Sequence, residues 1–566
     1  MRSNLYVSLA LVTSVALTSC SKMGDLSADN FTVTPSPLEA VGGQVPATIN
    51  GRFPEKYMKK KAVVTVTPVL RYAGGEAKGQ SATFQGEKVE GNDQAISYKV
   101  GGSYTMKNTF KYVPEMIKSE LYLTFDARKG KKAIKLNDVK IADGVLSTSA
   151  LLAYTLNTAN PATAPDAYQH VIEQRQQANI KFLIQQANIR TSELKSTSIQ
   201  DFIKTLRDIN ADQERKALSN IEVSAYASPD GGFKLNEKLA AQREKNSSQY
   251  VNSELKKIKM DASVETKYTA QDWEGFQELV SASNIQDKEL ILRVLSMYKE
   301  PEEREKQIRN ISAAFSELAD EILPQLRRAR LTINYELIGR SDDEIQEQFK
   351  SDASQLSVEE LLYAATLTEN ANEQKAIFQK TTQVYPNDYR AFNNLGELAY
   401  RSGDLAQAKN YLAQAARIKK DAPEVNVNMG LIALKEGDVQ AAEGYLAKGN
   451  GANTLDEALG NLYIAKGNYA QAEKAFAASK TNSAALAQIL NRNYESAEKT
   501  LNSVEPADGT TNYLKAIVAA RKNNQGAVTT NLKDAILKDA SLAKRAAVDL
   551  EFAKWANNPA FQSLVK

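Results

Sequence analysis

Between residue 31 and about 145, apolar and polar positions alternate with a period of two. In AVVTVTPVLRY (62–72), AISYKVGGSYTMKNTFKYV (95–113) and LYLTFDARKGKKAIKLNDVKIADGV (121–145), apolar or β-branched residues take alternate places, and Gly-Gly and Lys-Gly pairs punctuate the runs. Such alternation gives each strand one buried and one wet face. It predicts short antiparallel strands packed as an all-β sandwich over residues 31–155. Cys20 is the only cysteine in the chain, so this module must rest on its packed core. Its pattern names no function; a spacer or adhesive module is the default.

The alternation stops at NTANPATAPDAY (157–168), where two prolines among small residues mark a boundary. Beyond it the period changes from element to element. NIKFLIQQANIR (179–190) predicts a strand, and SIQDFIKTLRDIN (198–210) a helix with Phe202, Ile203, Leu206 and Ile209 on one face. NIEVSAYA (220–227) predicts a second strand, 235–258 a second helix, and DASVETKY (261–268) a third strand. A helical excursion over about 272–325 precedes a last strand, ARLTINYELIG (329–339). The order β-α-β-α-β-helices-β makes an α+β domain over 170–340. His170, the only histidine, sits in DAYQHVIEQRQQ and reads as a solvated helix residue.

The last third repeats itself. AFNNLGELAYRSGDLAQAKNYLAQAARI (391–418), VNVNMGLIALKEGDVQAAEGYLAKG (425–449) and EALGNLYIAKGNYAQAEKAFAAS (457–479) share one plan. Gly396, Gly430 and Gly460 take the close-packed point of each first helix. Ala408, Ala442 and Ala472 take the tight crossing of each second helix, with Leu412, Leu446 and Phe476 four residues on. Weaker units flank them at 376–388, 491–501 and 512–536, and AKRAAVDLEFAKW (543–555) reads as a capping helix. The pattern resembles tetratricopeptide repeats, which implies an all-α solenoid over 350–566 whose groove binds protein or peptide partners.

The turn-and-helix run SPDGGFKLNEKLAAQRE (228–244) carries a second resemblance, to the OmpA-like peptidoglycan-binding domain. That family shows a Thr-Asp-rich turn, Gly, then N-x-x-L-S-x-x-R-A. Here Asn236, Leu239 and Arg243 fall in register, and Gly231 and Gly232 occupy the turn. The likeness spans about 175–340 and implies a site for wall stem peptides, whose diaminopimelate presents a carboxylate beside an ammonium. An arginine fork suits the carboxylate, and a turn carboxylate would hold the ammonium. Ser228 stands fifteen residues before Arg243, where the family has its aspartate; Asp230 replaces it only if the turn is re-routed. Ala240 and Glu244 replace the usual Ser and Ala, and Glu244 could neutralise Arg243. The competing reading is a plain turn, with Arg243 a solvated or salt-bridged helix residue.

The chain opens MRSNLYVSLALVTSVALTSCSK, with Arg2 before an apolar stretch at 5–17 that is short for a membrane span. Leu17-Thr18-Ser19-Cys20 resembles a lipoprotein signal, which implies that 1–19 is removed, that Cys20 takes a diacylglyceryl group, and that 20–30 is a polar tether. An ordinary signal peptide with a chance cysteine is the alternative. A net charge of +3 gives no footprint for nucleic acid. One histidine and no phosphate loop, H-E-x-x-H or G-x-S-x-G predict no enzyme, cofactor or metal; a glycosidase with an unrecognised acid pair is the remote rival. These features predict a Gram-negative outer-membrane lipoprotein that faces the periplasm, bridges to peptidoglycan and scaffolds protein partners. The rival is a surface-exposed adhesin or fimbria-assembly factor with a degenerate OmpA-like scaffold.

Overall fold

The computed structural model describes residues 23–285, 287–310 and 316–566. The lipoprotein-like signal at 17–20 lies outside the described residues. The chain divides into two compact units. One joins the described residues up to Asp166 with Thr368–Lys566; the other is Ala167–Leu367.

In the first unit the alternation becomes two sheets. Phe31–Thr34, Gln44–Phe53 and Gly102–Lys111 make one of three antiparallel strands. The other runs Lys132–Ile134, Ser119–Lys129, Ala62–Tyr72, Ala82–Gly86, Gln94–Ile96. Val45, Ile49, Phe53 and Met106 of the first sheet share a core with Val64, Val66, Leu70, Leu121 and Leu123 of the second. Every second residue of Gln44–Phe53 from Val45 is buried, so the period-two pattern decides which face packs. The sandwich departs from antiparallel at two short pairs: Ala82–Gly86 with Gln94–Ile96, and Leu38–Glu39 with Val145–Leu146.

The β pattern ends at Leu146, not at 155. Thr148–Leu151, Leu152–Thr155 and Leu156–Thr158 are helical turns. Leu151, Leu152, Thr155 and Leu156, spaced i, i+1, i+4, i+5, are all buried, and a helix places that spacing on one face.

The helical part of this unit is a stack of hairpins: Tyr389–Arg401 with Leu405–Ile418, Pro423–Lys435 with Val439–Leu446, Leu455–Ala465 with Tyr469–Ala475, Asn482–Leu490 with Tyr494–Asn502, and Gly509–Arg521 with Gln525–Lys538. Ala371–Val384 precedes them. A Cβ on Gly396 would fall 2.7 Å from Leu412 Cγ, and one on Gly430 2.6 Å from Leu446 Cδ2; on Gly460 it would press into the Phe476 ring. Each glycine is thus the hole into which the large residue of its own second helix fits. Ala408, Ala442 and Ala472 are fully buried beside them. The predicted capping helix at 543–555 is broken: Ser541–Ala546 is followed by a 3-10 segment, Leu550–Trp555. Asp549 makes the break, because its carboxylate accepts from the Glu551 N–H at 3.1 Å and the Tyr513 hydroxyl at 2.8 Å.

The second unit has a four-stranded sheet in the order Val171–Lys181, Arg328–Ile338, Lys216–Tyr226, Val264–Thr269, with only the last pair parallel. Thr197–Ala211 and Phe233–Ile258 bury Phe202, Leu206, Val251 and Leu255 against Ile180, Val223 and Leu331. The helices over 273–326 build a smaller core of their own around Phe276, Val280, Ile291 and Leu326. The first strand lies earlier than the predicted 179–190, and His170 is exposed at its start rather than on a helix. It is an edge strand whose polar half, VIEQRQQ, is mostly exposed, so it shows no alternation. Beyond the strand, the Leu183, Gln186 and Ala187 carbonyls accept from the Arg243 and Asn246 side chains instead of from a neighbouring strand. Asp342–Asp352 and Val358–Ala364 belong to this unit, so its boundary lies at 367 rather than near 350.

The glycine fit gives a paired expectation. Gly430→Ala overpacks Leu446 and should lower stability by about 1–2 kcal/mol. Gly444→Ala, on an exposed helical site with nothing within 4 Å of the new Cβ, should be neutral or raise it by up to about 1 kcal/mol. Thermal melts of the two variants that fail to separate in this order would refute the fit.

Candidate functional site

The face that the first helices of the hairpins present is the one expected to take a partner. It holds the chain's own residues 147–166. The first helices carry amides there, and an amide side chain offers both a donor and an acceptor, matching the backbone N–H and C=O of one residue. Asn394 Oδ1 accepts from the Ala164 N–H at 2.8 Å, and its Nδ2 donates to the Ala164 carbonyl at 3.1 Å. Asn428 does the same at Ala162, at 2.6 and 2.8 Å. Asn393 adds a donor to the Ala162 carbonyl at 3.0 Å and links the two amides. Pro161 and Pro165 have no N–H, so the donors at 162 and 164 stand between residues that need none.

Side-chain anchors continue along the strap. The Tyr400 hydroxyl donates to the Leu156 carbonyl at 2.7 Å, Asn160 to Glu457 at 2.9 Å, and Thr163 to Glu397 at 2.7 Å. Arg390 donates to the Asp166 carbonyl at 2.9 Å. At the other end Arg545 meets the Ser147 carbonyl at 3.1 Å, and Thr148 donates to Glu551. Burial pushes the Glu551 carboxyl up, and the two-pronged bond from Arg521 at 2.7 and 2.8 Å pulls against that. Gly42, in the left-handed region at φ +57°, brings a sandwich loop against the Lys466 carbonyl. Sandwich and repeats are therefore welded by the segment whose composition suggests a linker. The sequence does carry a signal for it: Asn393, Asn394 and Asn428 are amides on helix faces that would otherwise be apolar.

The second candidate lies wholly within the central unit. Where Lys216–Tyr226 ends, the turn brings Ser228, Asp230, Asn236, Arg243 and Arg327 around a cavity of about 50 Å³, with Ile184, Leu235 and Leu239 also lining it. Asn236 Nδ2 donates to the Ser228 and Gly231 carbonyls at 2.9 and 2.8 Å, so this residue shapes the turn. The turn folds back on itself: the Ser228 hydroxyl donates to Asp230 Oδ1, and Arg327 Nη2 donates to Oδ2 at 2.9 Å.

Arg243 is neither solvated nor salt-bridged. It is 1% exposed, and it donates to the carbonyls of Gln186 and Tyr226 at 2.9 Å and of Leu183 at 3.3 Å, over the Phe182 ring. Glu244 is not among its partners. Burial, and then the charge on Arg327, pull its pKa down to about 10, while Asp230 works the other way; it remains charged at neutral pH. Sequence reasoning missed Arg327, which lies 84 residues beyond Arg243 and reaches the turn only through the fold. Among the described residues no group of three His, Cys, Asp or Glu is placed to hold a metal ion, and no helix is long and apolar enough to cross a membrane.

Comparison with known proteins agrees with the helical part. The tetratricopeptide repeat family matches residues 389–421, which is the first hairpin. No curated protein matches the chain. Among solved structures, a tetratricopeptide repeat protein from Parabacteroides merdae is similar at 13% identity, over 40% of this chain and 89% of that one, with a TM-score of 0.28. PilW, a type IV pilus biogenesis factor, is similar at 16% identity over 36% and 97%, with a TM-score of 0.27. PilF of Pseudomonas aeruginosa is similar at 14% identity over 40% and 98%, with a TM-score of 0.26. Likenesses this loose carry no functional weight. The segment that the repeats hold is part of this chain.

Asn428→Ala strips the acceptor from the buried Ala162 N–H and one of the two donors from its carbonyl. It should cost about 2–3 kcal/mol and speed proteolysis within 157–166. Cleavage as slow as in the parent chain would show that these amides do not hold the strap.

Proposed function

We propose that this chain is a non-enzymatic, lipid-anchored protein of a Gram-negative outer membrane. It faces the periplasm, links the membrane to peptidoglycan, and scaffolds envelope proteins. The anchor is lipid on Cys20. The central unit is an OmpA-like wall-binding domain, and its site is the pocket formed by Ser228, Asp230, Asn236 and Arg243.

One observation carries the wall-binding reading: the turn sets Asp230 against the Ser228 hydroxyl. The carboxylate thereby reaches the place where the resemblance calls for one, and the buried Arg243 guanidinium lines the same cavity. A tethered domain of modest affinity suffices for such a link, since membrane attachment raises its effective concentration at the wall. Protein partners of the repeats use surfaces that the strap does not fill. The chain's three parts are the sandwich up to Leu146, the wall-binding domain at 167–367 and the repeats from 368 on, with the sandwich fixed to the repeats as their brace.

Two measurements test this. The chain should pellet with purified peptidoglycan, soluble muropeptides should compete, and Arg243→Gln, once shown to be folded, should lower pelleting by about tenfold. Pelleting that neither muropeptides nor the variant reduces would exclude this pocket. Radiolabelled palmitate should enter the chain in cells and be lost in Cys20→Ser; label retained in the variant would remove the anchor.

A further inference from the structure

The pocket in the central unit has a charge balance that the resemblance does not foresee. Its lining holds two guanidinium groups, Arg243 and Arg327, against one carboxylate, Asp230. Both oxygens of that carboxylate are engaged, Oδ1 by the Ser228 hydroxyl and Oδ2 by Arg327. Each carboxylate oxygen keeps a free lone pair, but Arg327 already balances that charge and Arg243 leaves the lining one charge positive, so an incoming ammonium meets a net positive wall instead of an uncompensated acid. A buried cation without such a partner is strongly disfavoured.

Donors, by contrast, are left over. Arginine carries five N–H groups, and Arg243 uses three on backbone carbonyls. Arg327 uses Nη2 on Asp230 and Nε on Ser228 Oγ at 3.3 Å. Among the described residues its Nη1 has no partner. The cavity's 50 Å³ exceeds several-fold the roughly 10–15 Å³ that one water needs, so a carboxylate with its α-carbon fits. The surroundings are apolar: Leu183, Ile184, Phe233 and Leu235 are each 45–58% exposed, and Ile184 and Leu235 line the cavity itself. Half-exposed large apolar side chains beside a charged floor suit a ligand with one negative end and small alkyl groups behind it.

We propose that this pocket binds the free C-terminal carboxylate of a peptide, as presented by the terminal D-alanine of a wall stem, and discriminates against the zwitterionic head of diaminopimelate. The proposal rests on the pocket being the wall-contact site. Arg327 decides the ligand class, because its charge already offsets the carboxylate that an ammonium would pair with. Arg243 and the unused edge of Arg327 face the carboxylate, and Ile184 and Leu235 cover the alanine methyl groups.

Calorimetric titration of the purified full-length chain tests this with four probes: N-acetyl-D-Ala-D-Ala, its C-terminal amide, the all-L acid, and meso-diaminopimelate. The D-acid should bind about tenfold more tightly than its amide and than diaminopimelate, the value of one charge-assisted contact. Arg327→Gln frees Asp230 and should narrow the gap by favouring diaminopimelate. Asp230→Asn should retain acid binding and leave diaminopimelate weak, and it decides the matter should Arg327→Gln not fold. Diaminopimelate binding as tightly as the D-acid, the amide matching the acid, or no acid binding overturns the proposal. Tighter binding of the all-L acid moves the source to a protein tail and overturns the wall assignment. D-acid binding without pelleting on peptidoglycan refutes the wall link and leaves the carboxylate site. Pelleting competed by diaminopimelate alone does the reverse.

Discussion

A peptide group buried without a partner costs more than most single contacts return, and the larger unit of this chain is organised around avoiding that cost. Residues 147–166 run among the first helices of the repeats, and Ala162 and Ala164 are buried there away from water. Asn394 and Asn428 each meet the backbone N–H and C=O of one residue, Ala164 and Ala162, with an acceptor and a donor. The prolines that flank those positions, Pro161 and Pro165, bring no donors that would need partners. Once the strap is held, the sandwich that precedes it is held too, since Leu146 and Ser147 join strand and strap without a spacer. Removal of the amides would therefore loosen the repeats and also the joint between two architectures.

The central unit meets the same constraint with a charge. Arg243 is buried, and it satisfies three backbone carbonyls instead of an acid. Those carbonyls belong to the loop after the edge strand and to the end of Lys216–Tyr226, so the guanidinium fastens two segments while remaining a wall of the cavity. Arg327 balances Asp230, and the sum of the three charges stays at one positive. A site that grips a ligand with a group already committed to the fold is rigid before the ligand arrives, so little ordering cost remains at binding.

Legibility in the sequence follows how local each signal is. The sandwich strands, the helices Thr197–Ala211 and Phe233–Ile258, and the repeat hairpins all carry their period within a dozen residues, and each lies near its predicted place. The edge strand Val171–Lys181 escapes prediction because it is wet on most of its length and alternation has no face to mark. The strap reads as a linker because small residues and prolines describe both a loose connector and a peptide threaded through a tight space. Only the amides on helices far along the chain distinguish the two. Arg327 is invisible for the same reason: nothing near it in sequence says that strand Arg328–Ile338 begins beside the turn at 228–231.

The topology shows how a pocket and a self-filled groove coexist in one chain. The central unit leaves the strap at 166 and returns to the repeats at 368, and within it the two ends meet. The His170 carbonyl accepts from the Gly339 N–H at 2.7 Å, and the Tyr168 and Tyr363 rings stack at 4.5 Å. A domain whose ends adjoin can be inserted into another body without stretching it. Its sheet, its two cores and its cavity are complete without the repeats. Binding at the pocket thus does not have to break the amide ladder, and strain on the ladder does not have to reach the pocket.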